Sequence, residues 1–131
     1  MQGVLVDSSV LLDVFENDPV WADWSEAALA THSDGLTLFV NPVIYAEVSI
    51  GFQRIEELEE AFAGFGMRML PIPKEALFLA GKAFLQYRRS KASPLPDFFI
   101  GAHAAIDNLL LLTQNVKQIK TCFPTIKTIS P

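Results

Sequence analysis

The chain has 131 residues, half of them hydrophobic and 19% charged, with fifteen Asp and Glu against ten Lys and Arg. That length predicts a single domain over residues 1–131, burying roughly two thirds of its unfolded surface, and the apolar content excludes a disordered chain. Seven Gly and eight Pro without period exclude collagen-like and low-complexity architectures.

No stretch approaches the roughly 18–20 apolar residues that span a bilayer. Asp7 and Asp13 interrupt the only candidate for a leader segment, and a single cysteine, Cys122, cannot form an internal disulfide. A cytoplasmic protein without a membrane partner is expected. Charge divides unevenly along the chain. Residues 1–66 hold twelve acids and one base, net −11, whereas residues 67–131 hold three acids and nine bases, net +6. A net acidic protein is a poor general nucleic-acid binder, yet the basic half can supply a local phosphate-binding face. Interleaving of the halves in the fold would cancel the asymmetry.

In chain order, Gly3 to Val6 reads as a strand buried on both faces, stopped by Asp7-Ser8-Ser9 ahead of a helix from Val10 to about Glu16. Asn17-Asp18-Pro19 breaks that helix, a second runs from about Val20 to His32, and Leu36 to Val40 is the next strand. Asn41-Pro42 is a strong helix start for the segment ending near Gly51. An acidic amphipathic helix follows over Ile55 to Ala63, then a strand from Met67 to Leu70 and a helix from Lys74 to about Arg89. Ser90 to Pro96 reads as a loop, with helix resuming to about Asp107. The chain closes with a strand from Leu109 to Leu112, a short helix near Lys117 to Cys122 and an edge strand at Lys127 to Ile129. Strands separated by helices predict an α/β fold, with a mostly parallel central sheet of four to five strands and helices on both faces. Ligands of such sheets bind beyond the carboxyl ends of the strands, which directs attention to Asp7, to the residues after Val40 and to those after Leu112.

Oxygen-bearing side chains occupy those places. Asp7 suits a helix N-cap or a ligand position at a strand end. Glu47 lies at helical spacing from Val43 and Ile50, and a glutamate on an apolar stripe must find a cation or stay protonated. Asp97 follows Pro96 in the first turn of its helix, where the helix dipole favours a carboxylate and where its direction is fixed for holding a metal. Thr113-Gln114-Asn115 reads either as turn chemistry or as a place where Asn115 offers a neutral oxygen to a metal or its water. With no Cys/His cluster beside them, these donors suit Mg²⁺ or Mn²⁺, an ion that would favour phosphodiester hydrolysis. His103 reads as a packed histidine, Asp13 as solvent-facing, and Glu56, Glu57, Glu59 and Glu60 as a solvated helix face. Arg88, Arg89 and Lys91 suit RNA phosphates or a helix C-terminus equally. Trp21, Trp24 and the ten Phe suit a core or a dimer interface better than base stacking.

Taken together, Asp7-Ser8-Ser9-Val10-Leu11-Leu12-Asp13 after a strand, Glu47 in its helix, Pro96-Asp97-Phe98-Phe99-Ile100-Gly101-Ala102-His103-Ala104, and Leu111-Leu112-Thr113-Gln114-Asn115 resemble the PIN domain. More narrowly, they resemble the toxin ribonucleases of VapBC-type toxin–antitoxin pairs. The resemblance covers nearly the whole chain. It implies a PIN-like three-layer fold and a metal-dependent ribonuclease with Asp7, Glu47 and Asp97 as acidic ligands. It also implies supporting hydroxyl roles for Ser9 and Thr113, an outer role open to Asp13, an RNA substrate, a cognate antitoxin and a homodimer. The family's fourth acidic position aligns with Asn115, a departure that weakens a second metal site. Two other functions compete: a catalytically weak binding module on the same fold, and a phosphoacceptor signalling domain. The second lacks both a paired acid beside Asp7 and an aspartate ending a middle strand.

Overall fold

The computed structural model describes residues 3–87 and 95–131. Five parallel strands form one sheet among these residues, in the order β3-β2-β1-β4-β5. The strands are β1 (Gly3–Val6), β2 (Thr37–Val40), β3 (Arg68–Met69), β4 (Leu110–Leu112) and β5 (Thr128–Ile129). The helices are α1 (Ser8–Phe15), α2 (Ala22–Ser33), α3 (Pro42–Ser49), α4 (Ile55–Gly64), α5 (Lys74–Tyr87), α6 (Leu95–Ile106) and α7 (Val116–Cys122). The α/β architecture expected from the alternation of elements is therefore present.

Burial explains the sheet order. β1 is buried along its whole length and takes the central place, flanked by β2 and β4, while the two-residue strands β3 and β5 form the edges. Its glycine is a packing requirement: a Cβ on Gly3 would run into the ring of Phe39 on the neighbouring strand. Val4, Leu5, Val6, Leu38, Phe39, Leu111 and Leu112 form the middle of the core, against which Val10, Leu11, Ile44, Val48, Phe98 and Ile100 pack from the helices.

Local chemistry sets the helix boundaries. Asn41 caps α3 as expected, its side-chain oxygen accepting from the Ile44 amide at 2.9 Å, with Pro42 in the first turn. α2 starts at Ala22 instead of Val20, because Asp18 Oδ1 accepts from the amides of Val20 and Trp21 and holds them in a turn. α6 begins at Leu95, inside the stretch expected to be a loop; a proline in the first turn has no donor to lose there. α3 ends at Ser49, so Ile50 lies beyond the helix and is 87% exposed. The inward stripe expected of Val43, Glu47 and Ile50 does not form, and the buried face of α3 is Ile44 and Val48.

Candidate metal centre

The parallel register places the candidate residues side by side. Val6 pairs with Leu112, and the Asp7 amide donates to the Leu112 carbonyl at 2.9 Å, so Asp7 and Thr113 leave adjacent strands at the same level. Beyond the same edge, α3 follows β2 and carries Glu47, while α6, packed against α3, carries Asp97 in its first turn.

Asp7 stands at the N-cap position of α1, yet its side chain makes no capping hydrogen bond. It is only 1% exposed. Its Oδ2 accepts instead from Ser9 Oγ at 3.0 Å and from Thr113 Oγ1 at 2.8 Å. The Thr113 oxygen in turn accepts from the Asn115 amide at 3.0 Å, which leaves its single proton for Asp7. Ser8 Oγ lies 2.9 Å from Glu47 Oε1 and 3.4 Å from Asp7 Oδ1. With one proton to donate, it favours the shorter contact, and Asp7 Oδ1 keeps free acceptor capacity.

All three carboxyls are held above their ordinary pKa. Burial dominates for Asp7, outweighing the hydrogen bonds from Thr113, Ser9 and Ser8. Burial, then the charge of Asp7, raises Glu47 against the lowering effect of Ser8. Asp97 is pushed from 3.8 to about 6 by burial and then by the charges of Asp7 and Glu47. The three therefore feel one another, and the two ion pairs found among the described residues, Arg54–Glu56 and His103–Asp107, lie elsewhere. A site that raises three carboxylates by burial, and two of them also by the charge of acidic neighbours, is suited to a cation.

The donor set is all oxygen, which fits a hard divalent ion such as Mg²⁺ or Mn²⁺. No three His, Cys, Asp or Glu side chains among the described residues form a ready-made cage, so an ion would have to draw these carboxylates together. Asn115 is exposed at the N-cap position of α7, and its backbone amide reaches the site through Thr113. Its φ is −97°, and the left-handed asparagines are Asn17 and Asn108. Arg88, Arg89 and Lys91 lie outside the described residues.

Two arrangements went unread in the sequence. Asp13 does not face open solvent: it accepts from Ser25 Oγ at 3.1 Å and from Gln114 Nε2, tying α1 to α2 and to the segment after β4. Ser8 links Asp7 to Glu47, and the only sequence signal for it is the run of hydroxyls after a buried strand. His103 is buried as expected, between Asn41 Nδ2 at 3.1 Å and Asp107 Oδ2 at 2.9 Å. Because the capping bond commits the Asn41 oxygen to Ile44, its NH₂ faces His103 Nδ1, which must accept; the ring proton sits on Nε2 and points to Asp107.

The sequence matches the PIN domain family over residues 4–124. The chain belongs to the PIN domain family. Comparison with curated proteins by sequence yields no match. Among solved structures, VapBC2 from Rickettsia felis bound to a DNA fragment from its promoter is similar at 17% identity, covering 100% of this chain and 99% of that one with a TM-score of 0.77. VapBC-1 from nontypeable Haemophilus influenzae is 19% identical over 99% and 98% of the two chains, with a TM-score of 0.74. A toxin–antitoxin complex from Klebsiella pneumoniae is 20% identical over 98% of each chain, with a TM-score of 0.72. At these identities the likeness establishes the PIN fold.

Proposed function

We propose that this PIN domain is a Mg²⁺- or Mn²⁺-dependent endoribonuclease acting in the cytoplasm as the toxin of a type II toxin–antitoxin pair. The observation that carries the reading is the trio of Asp7, Glu47 and Asp97 beyond the carboxyl edge of the sheet, each raised in pKa by burial and, for Glu47 and Asp97, by its acidic neighbours. Asp7, Glu47 and Asp97 hold the ion, and Asn115 contributes a neutral oxygen directly or through water. When bound, the ion supplies Lewis-acid stabilisation of phosphate charge and makes water a stronger nucleophile. Ser9 and Thr113 fix the Asp7 carboxylate by engaging Oδ2, so that Oδ1 is the oxygen offered to a ligand. Ser8 fixes Glu47 in the same way. Arg88, Arg89 and Lys91, in the basic half of the chain, bind the RNA backbone. PIN domains are generally divalent-metal nucleases, and the similar solved structures are toxin–antitoxin complexes, which supports a cognate antitoxin as protein partner.

Exposed Asn115 in the fourth position favours a second reading, a PIN-fold binding module with weak or no catalysis. Incubation of mixed cellular RNA with the purified chain, with and without chelator and beside an Asp7→Asn control, separates the two. The nuclease reading predicts cleavage that requires the metal and disappears in the variant. Intact RNA under every metal condition would leave the binding module.

A further inference from the structure

A buried chain of three side chains joins the start of α3 to the end of α6. Asn41, one residue beyond β2, and His103, six positions after Asp97 on α6, are both fully enclosed. Asn41 Oδ1 accepts from the Ile44 amide at 2.9 Å and so caps α3, while its Nδ2 donates to His103 Nδ1 at 3.1 Å. His103 Nε2 donates to Asp107 Oδ2 at 2.9 Å, and the Asp107 side chain, 37% exposed, connects the buried ring to solvent.

This arrangement fits one protonation state. Neutral His103 has one nitrogen that accepts and one that donates, and both are matched. An imidazolium donates from both nitrogens, so its Nδ1–H would face the Asn41 NH₂, donor against donor, where no water reaches. Turning the Asn41 amide over relieves that conflict by offering its oxygen to the ring. The NH₂ then meets the Ile44 amide, again two donors, and α3 loses its cap. The single amide oxygen lies on one side and cannot serve both.

We propose that Asn41, His103 and Asp107 form an acid-sensitive latch: neutral His103 holds the first turn of α3 closed, and a proton taken up through Asp107 releases it. Asp107, on the ring's own helix, is the charged group acting on His103; it favours the proton, and burial opposes it more strongly. The latch therefore opens below the ordinary 6.5 of a histidine. Of the other elements packed on α6, the β2–α3 corner presents the neutral Asn41 amide, and β4 carries no ionisable side chain. On α3, Tyr45 donates to Glu59 and Glu47 accepts from Ser8. The charges of Lys74, Glu75 and Lys82 on α5 and of Lys117 and Lys120 on α7 are exposed, and Cys122 feels Asp97. Glu47 lies one turn beyond Ile44 on α3. Release of the cap thus loosens the scaffold of the acidic site, in addition to direct protonation of its carboxyls. That consequence rests on the metal-centre reading; the latch itself uses no residue of the acidic site.

An NMR titration of the purified chain with chelator present, from about pH 7.5 to about pH 4.5, tests the latch apart from any metal. In the wild type, the His103 ring, the Asn41 side-chain amide and the Ile44 backbone amide are expected to shift with one common midpoint. Over the same transition, solvent exchange at Ile44 is expected to quicken about fivefold or more beyond the change in intrinsic rate. Asp107→Asn keeps an acceptor at a partly exposed position and removes the charge, so the common midpoint is expected to fall by about half a pH unit or more. Because the acidic site is untouched by that substitution, a transition driven by Glu47 or Asp97 would not move. His103→Asn sets an oxygen in place of Nδ1 and cannot take up a proton, so Ile44 is expected to stay bonded throughout. The wild-type and Asp107→Asn titrations decide the matter whether or not His103→Asn folds. A ring that titrates while Ile44 stays fixed, a ring that never protonates in the folded chain, or an Ile44 midpoint unmoved by Asp107→Asn would overturn the latch. Failure of the chain to bind a divalent ion would overturn the metal centre and leave these results unchanged.

Discussion

The raised pKa of Asp97 makes the acidic site a measurable source of instability in the metal-free protein. A rise from 3.8 to about 6 is worth about 3 kcal/mol at face value, and screening by water at a carboxylate that is only partly enclosed reduces this to about 1–2 kcal/mol. Asp97→Asn removes the charge and keeps the shape. In the presence of chelator at pH 8, the variant is therefore expected to melt about 3–8 °C above the wild type. The sign of the pH dependence follows from the direction of the shift. The folded state holds the Asp97 proton more tightly than the unfolded state, so the wild type gains stability as the pH falls from about 6 towards 3.8, and the advantage of the variant fades over the same window. Differential scanning fluorimetry of both proteins from pH 8 to pH 4 measures the gap. A variant less stable than the wild type at pH 8, or a gap that does not change with pH, would refute the claim that charge repulsion and burial dominate at this position.

Other substitutions test the parts that hold the site. Thr113→Val removes a donor to buried Asp7 and an acceptor for the Asn115 amide; urea unfolding is expected to show a loss of about 1–3 kcal/mol, and an unchanged midpoint would deny the bond any role. His103→Gln is expected to cost stability at pH 8. Because burial lowers the folded pKa of His103 below the unfolded 6.5, the wild type loses stability as the pH falls through that value, and its lead over the variant narrows; a constant lead would contradict the buried neutral imidazole. Gly101→Ala drives a methyl into the ring of Phe123, and thermal melting is expected to report a loss of about 1–3 kcal/mol, unlike a substitution at an open glycine.

Much of the fold was legible because the apolar run ending in Asp7-Ser8-Ser9 suits a strand buried on both faces that feeds a helix, and the capping of α3 by Asn41 was written in Asn41-Pro42. The boundaries that moved did so through chemistry that spacing does not encode. Asp18 holds a turn where periodicity alone continues a helix, and the end of α3 at Ser49 turns Ile50 out to solvent. At the site, Asp7 stood out by its place after a strand, Glu47 by its spacing within a helix and Asp97 by its place in the first turn of another. The bonds that orient them did not, since Ser8 to Glu47, Thr113 to Asp7 and Gln114 to Asp13 join residues 39, 106 and 101 positions apart. The choice between cap and ligand for Asp7 needed coordinates: it occupies the cap position, yet it makes no capping bond and its Oδ2 accepts from the Ser9 and Thr113 hydroxyls.

Binding of Mn²⁺, followed by the loss of the free-ion electron paramagnetic resonance signal on titration with the purified chain, bears most directly on whether these distant oxygens serve one cation. The account predicts saturable binding by the wild type and at least about a tenfold weaker affinity in each of Asp7→Asn, Glu47→Gln and Asp97→Asn. Equal affinity in the wild type and all three variants would contradict it.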